Sequence, residues 1–479
     1  MSIFFNAEFW QVFFLVLRIV LYLCAPMYSF AKYKNHYLAT LKLAFPIVIS
    51  QLGHILVQFA DNVMVGQYGG DNPLPLAAVS FGVAISFLFF ITGQGITLGL
   101  TPLIGELFAQ GDVRQSASYL KHAIFLYSLL GVVFVLLQIW SQPLLYYMGQ
   151  PVEVVDAAMP YYRMMAYSIL PVMLFSAFKN FLDGVGNTVV PMVIMMFCNL
   201  LNIFLNWVFI YGAFGAPEMG VEGAGLATLV SRMLMPLLGI GYFLFHRHYH
   251  SYTSMMSSVK FGSDDIYSLL KMGTPIAMQM FLESTAFVIT GVMMGWFDAV
   301  AISSNQIAIT LGNAAFMIVV AVGTAVTIRV SHCYGARDVD GMSLTSKSSL
   351  HLVLLWDSFA ALIFVIFNHS IPLLFTSNAE VIDLASKMLV MVAMYQVFDA
   401  VQCAGIGILR GIQDVKIIPW ISFLAYVVLN IPVGYLCGFV LDMGPCGLFF
   451  GYLFGLGVSA LLSLLRIRKK IREFRVEFQ

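Results

Sequence analysis

Apolar runs of roughly 20 residues or more follow one another along nearly the whole of this chain, and they leave it few folds to choose from. A run of that length matches a helix crossing the ~30 Å hydrocarbon core of a bilayer. Composition points the same way: of 479 residues, 60% are hydrophobic and 10% charged, whereas a soluble domain carries about 25% charged residues. Twelve spans are expected, at 40–66, 76–105, 119–141, 157–181, 188–213, 222–246, 266–297, 300–330, 346–370, 385–410, 415–440 and 447–469. The expected class is an all-α integral membrane protein embedded in a lipid bilayer. Net charge is zero, so nucleic acid is not an expected partner.

Lys and Arg set the expected orientation. Lys32, Lys34, Arg114, Lys121, Lys179, Arg247, Lys260, Arg337, Lys347, Arg410 and Lys416 fall in segments on one side, together with the run from Arg466 to Arg475. The opposite loops hold Asp71, Glu153, Asp156, Glu218, Asp298, Glu380 and Asp442, with Lys387 as the main exception. The positive-inside rule then places both termini in the cytoplasm. The six cysteines show no metal-binding spacing and are expected to be reduced packing residues. The short apolar run Phe9–Cys24, broken by Arg18, lacks a signal-peptide cleavage site and suggests an interfacial helix, with a thirteenth span or a start at Met27 as alternatives.

The chain is duplicated. Pro46 and Gly66 in the first span match Pro275 and Gly295 in the seventh, each pair 20 residues apart. Ala109-Gln110-Gly111-Asp112 matches Gly335-Ala336-Arg337-Asp338, and Glu153-Val154-Val155-Asp156 matches Glu380-Val381-Ile382-Asp383. Asn202-Ile203 matches Asn430-Ile431, and Met219-Gly220 matches Met443-Gly444. Two six-span halves enter the membrane from the same side, so a pseudo-twofold axis along the membrane normal is expected to relate them. The expected division is an N-terminal extension at 1–37, a bundle at 38–247, a cytoplasmic linker at 248–265, a second bundle at 266–470 and a basic tail at 471–479.

Against this background, Asp61, Glu283 and Asp399 stand out as acids inside apolar spans. Intramembrane charge is costly and marks function by default. Gln51, His54, Gln58 and Asp61 are spaced to share one helical face, and no Lys or Arg in that span neutralises Asp61. Asn199, Asn202 and Asn206 form a second polar stripe, which interhelical amide bonding explains equally well. Gln279 lies one turn before Glu283; Tyr395 and Asp399 share a face, with Gln402 and Cys403 a turn further on. Gln306 and Asn305 are candidates to complete the site. Oxygen-rich groups suit Na⁺ or a proton better than a transition metal. Arg232 and Asp357 are expected to snorkel or to pair locally, with a functional role as the alternative.

Phe59-Ala60-Asp61-Asn62-Val63-Met64-Val65-Gly66, Phe281-Leu282-Glu283, the stretch from Tyr395 to Asp414 (YQVFDAVQCAGIGILRGIQD) and Asn202–Glu218 (NIFLNWVFIYGAFGAPE) together resemble the multidrug and toxic compound extrusion (MATE) family, in its NorM-type bacterial branch. The resemblance runs over about residues 38–465. It implies two six-helix bundles in a V, exporting amphipathic organic cations in exchange for Na⁺ or H⁺ by alternating access, with no organic cofactor. By this resemblance Glu283 and Asp399 are the cation-coupling acids and potential Na⁺ ligands, with Tyr395 beside them. Asp61 is the first-helix acid of coupling and release, and Asn202 and Asn206 are its amide neighbours. A monomer in the bacterial inner membrane is expected. The rivals are a flippase for a lipid-linked saccharide, which needs a strongly cationic cavity, and a membrane-embedded enzyme, for which no HExxH, paired aspartates or Ser/His pair is found.

Overall fold

The computed structural model describes residues 30–70, 72 and 74–478. The helix expected in Phe9–Cys24, and Met27, lie outside them. Twelve helices are long and apolar enough to cross a membrane. They are α1 (Phe30–Gly69), α2 (Leu74–Gln110, with a break at 98–99), α3 (Val113–Trp140), α4 (Val152–Gly184), α5 (Val189–Tyr211) and α6 (Gly220–Phe245). The second set is α7 (Ser263–Gly295), α8 (Ala299–Gly335), α9 (Val339–Ile366), α10 (Ala379–Gly411), α11 (Val415–Val440) and α12 (Pro445–Glu477). Each coincides with one expected span, and no strand occurs among the described residues.

The repeated motifs prove to be helix starts. Gly111 takes φ +75° and Asp112 then caps α3, accepting from Gln115 N at 2.9 Å. In the second copy Arg337 takes φ +54° and Asp338 caps α9 through Gly341 N at 2.8 Å. A left-handed residue ends one helix and an aspartate satisfies the free amides of the next, so a tight reversal needs both. Glu153 and Glu380 stand in the first turns of α4 and α10, where a negative charge complements the helix dipole. α4, α10 and α12 are the most enclosed of the twelve.

The chain divides into two compact units: Pro46–Phe281 forms one, and residues up to Phe45 with Leu282 onward form the other. Both crossings fall inside helices. The first coincides with Pro46, whose ring removes a helical hydrogen bond and loosens α1 there. Local bonds explain the assignment of each helix start. The leading turns of α1 are tied to the C-terminal unit by Arg329, which donates to His36 O and Thr40 Oγ1, both at 2.7 Å, and by Tyr37 and His351 at 2.9 Å. The leading turns of α7 are tied to the N-terminal unit by Asp265, which accepts from Gln115 Nε2 at 2.8 Å and from Ser118 Oγ, with His122 Nδ1 at 3.3 Å. Within the expected linker 250–258 is helical, and Lys121 Nζ pins its end by donating to Val259 O at 2.7 Å. The expected basic tail continues α12 as helix to Glu477.

α7 lies against α2 without room for side chains. A Cβ on Gly273 would come within 2.2 Å of Ile96 O, whereas one on Gly291 of the same helix meets nothing within 4 Å. Gly273→Leu is therefore expected to destabilise the protein by about 3 kcal/mol, the upper part of the usual overpacking range. Gly291→Leu is expected to leave it near wild type. Thermal unfolding of the two purified variants checks this; equal melting temperatures would contradict the packing.

Candidate functional site

In the N-terminal unit, Asp61 is placed by the turn of α1 that ends in Val65, which is buried against Val79, Tyr161, Met165, Ile210 and Ala224. That anchor turns Asp61 toward α5, where Asn206 Nδ2 donates to Asp61 Oδ1. With its amide nitrogen turned toward the carboxylate, Asn202 donates to the same oxygen at 3.2 Å and accepts from Ser231 Oγ at 3.3 Å. The α5 asparagine stripe is thus the hydrogen-bonding support of an acid. His54 and Gln58, two turns and one turn earlier, approach each other at 3.4 Å, and no bond joins either to Asp61.

A basic residue within electrostatic reach of Asp61 comes from α6. Arg232 Nη1 donates to Ser168 Oγ at 2.8 Å, its guanidinium lies 5.4 Å from the ring centre of Phe90, and it is within electrostatic reach of Asp61 and Tyr161. Arg232 therefore does not snorkel; it pairs locally, beside the acid. Its membership of the Asp61 cluster was not legible from spacing, because the two residues lie on separate helices.

In the C-terminal unit, α10 is buried on nearly every side and carries Tyr395, Asp399 and Gln402 inward. Asp399 is within electrostatic reach of Glu283 on α7 and of Asp357 on α9. Tyr426 of α11 joins the parts. Gln402 Nε2 donates to Tyr426 Oη at 2.8 Å, the hydroxyl lies 3.1 Å from Gln402 Oε1, and it also bonds to Glu283. Tyr426 sits in a π-helical stretch, Phe423–Asn430, ahead of Pro432. Proline offers no amide to the preceding turn and crowds its carbonyl, so the helix widens there. Around Asp399 the wall is aromatic: Tyr395 stands 6.1 Å from Phe449 and 5.4 Å from Tyr452, and Tyr452 stacks on Phe287 at 4.8 Å.

The other candidates distribute unevenly. Gln306 is exposed and no bond links it to the acids; its neighbour Asn305 is the buried one. Gln279 is buried one turn before Glu283, on the other side of the division at 281/282. Asp357 is fully buried. Among the described residues no group of three or more His, Cys, Asp or Glu is arranged to hold a metal, and the five described cysteines are unpaired. What the C-terminal cluster offers a small cation is oxygen: two carboxylates, the Tyr426 hydroxyl and the Gln402 amide. Residues of that kind suit Na⁺ or a proton.

Twelve membrane-length helices in two like halves, with buried acids in each, define a multi-pass membrane protein of transporter type. Comparison with known proteins gives the family: the MatE family model matches residues 46–208 and again 275–436, once in each half, and the chain belongs to the MatE family. A curated relative, the multidrug resistance protein NorM of Photobacterium profundum, is 31% identical over 440 residues, 91% of this chain and 96% of that protein. Among solved structures, a D35N mutant of the Vibrio cholerae MATE transporter VcmN superposes with a TM-score of 0.85 at 20% identity, covering 94% of this chain and 100% of that one. A MOP superfamily transporter from Pyrococcus furiosus gives 0.84 at 20% identity, over 92% and 97% of the two chains. At those identities the two structures speak for the fold alone.

Tyr426 supplies the only bonds that Gln402 makes to another side chain among the described residues. Tyr426→Phe is expected to cost about 1–3 kcal/mol, the usual penalty for stranding a buried polar group. Adding Gln402→Leu to that variant removes the stranded amide and is expected to restore part of the loss. Denaturation of the single and double variants measures it; a double variant no more stable than Tyr426→Phe would contradict the pairing.

Proposed function

We propose that this protein is a secondary active antiporter that exports amphipathic organic cations in exchange for Na⁺ or H⁺ by alternating access. The observation that carries the reading is the C-terminal cluster. Glu283 and Asp399 lie within electrostatic reach of one another, backed by Tyr426 and Gln402 and bordered by aromatic rings. The kinship with a protein named for multidrug resistance supports it.

The chemistry is competition. Ion-free carboxylates attract an organic cation, and aromatic faces hold its apolar body and charge. A proton or Na⁺ on the same carboxylates removes that attraction and favours release. The site can load an ion while open to one side and lose it when a conformational change alters its solvation. Asp61, poised between the Asn202/Asn206 amides and Arg232, acts as the gating acid of the first half.

Charge counting bounds the stoichiometry. A potential of 100 mV supplies about 2.3 kcal/mol per charge moved, so one-for-one exchange of monovalent cations draws nothing from it. Separate acid sites in the two halves leave room for more than one ion per drug. The direction fits a chain in the bacterial inner membrane with both termini cytoplasmic; it needs no organic cofactor and works as a monomer. The buried charges near the candidate sites are mainly acidic, which favours this reading over a flippase for anionic lipid-linked saccharides.

The test is accumulation of a fluorescent cationic dye in inverted vesicles under a Na⁺ gradient and, separately, a pH gradient. Wild type is expected to accumulate dye under at least one. Glu283→Gln and Asp399→Asn are each expected to reduce gradient-driven accumulation at least tenfold, whereas Asp61→Asn slows it. Equal accumulation with no gradient, or unaltered transport by both C-terminal variants, would sink the proposal.

A further inference from the structure

Asp357 takes no part in the cluster just described as an ion ligand, yet it is the most completely buried of the intramembrane acids, with no exposed surface. It sits in the interior of α9, facing α10. Its Oδ1 accepts one long bond, 3.5 Å from Gln396 Nε2. Its Oδ2 has no partner, and neither does Gln396 Oε1, on a side chain that is 1% exposed. Asp399, Tyr395 and Cys403, all on α10, lie within electrostatic reach of it. None of these is basic.

Two buried acceptor oxygens on side chains already bonded to each other cannot both remain unanswered. A stranded buried acceptor costs about 1–3 kcal/mol, and an ionised carboxylate without a cation costs more. A bridging water could satisfy the acceptors but would leave the charge in place. A metal cation would neutralise the charge, but hard cations take about six oxygen ligands, and here only two oxygens are open. One proton meets every requirement. Placed on Asp357 Oδ2, it neutralises the carboxylate and can be donated to Gln396 Oε1, while Gln396 Nε2 donates back to Oδ1. The result is a reciprocal acid–amide pair.

We propose that Asp357 and Gln396 form a proton-binding site of the C-terminal unit, holding one proton on Asp357 Oδ2 and exchanging it during transport. Loading adds one proton to a carboxylate and leaves a neutral acid; unloading returns the proton to Asp399 or to water admitted by a conformational change. The carrier role rests on the antiport reading. Occupancy of the site does not.

Infrared spectroscopy of the full-length protein in lipid vesicles tests occupancy. Wild type is expected to show the carbonyl stretch of a protonated acid that Asp357→Asn deletes and Gln396→Leu shifts, because the bridging acceptor is lost. Identical protonated-acid bands in wild type and Asp357→Asn would overturn the site. The carrier role is read from protons exchanged per dye molecule in proteoliposomes, followed with a pH indicator. Asp357→Asn, fixed in the neutral form, is expected to transport dye with a lower proton-to-dye ratio. An unchanged ratio would overturn that role. Wild-type dye transport with no ion exchanged at all would instead reject the antiport reading, while the infrared result would still decide the site.

Discussion

A carboxyl group inside a membrane helix must be answered by a bond, a cation or a proton, and the polar architecture of this protein is arranged around four such groups. Asp61 is met by two amides from α5, with the Arg232 guanidinium within reach. Glu283 is met by the Tyr426 hydroxyl, with the Arg410 guanidinium within electrostatic reach. Asp399 has a like charge for a neighbour and aromatic rings around it. Asp357 has half an answer, one amide bond and two open oxygens. The differences matter more than the shared residue type, because an acid with a built-in cation nearby needs an ion less than one facing another acid.

The duplication explains why the halves share a frame but not a site. Both copies of the Asp-capped turn, at Asp112 and Asp338, do the same structural work, and so do the acidic first turns of α4 and α10. The acids do not repeat. By the alignment of the halves Glu283 stands where the first half has His54, and Asp61 is supported by the asparagine stripe. α1 and α7, which carry Asp61 and Glu283, are also the helices within which the chain passes from one unit to the other. In the proposed cycle an ion at either acid acts on a helix whose two ends belong to different units, a physical route from local charge to conformational change.

Much of this was legible in the sequence, and for identifiable reasons. Apolar run length set the twelve helices, since hydrocarbon thickness admits few alternatives. The acids were found because charge in such runs is rare. The asparagine stripe was visible at helical spacing, while its service to Asp61 followed from the family resemblance and not from spacing. Relations between helices stayed hidden: the placement of Arg232 beside Asp61, of Tyr426 between Gln402 and Glu283, and of Gln396 against Asp357. The charged linker was visible because composition shifts there. The bonds of His36, Thr40 and Asp265 assign the helix starts to their units. The exposure of Gln306 was not legible, because a polar residue on an apolar helix looks the same in sequence whether it is exposed or buried.

The central claim is that the coupling ion and the drug compete for the C-terminal carboxylates. The most direct measurement is the affinity of the purified protein for a fluorescent organic cation, taken with and without Na⁺ and across a range of pH. The account predicts that wild-type affinity falls at least tenfold when Na⁺ or protons are added. It also predicts that Glu283→Gln and Asp399→Asn bind weakly and no longer respond. Wild-type affinity unaffected by either ion, or an unchanged response in both variants, would contradict it.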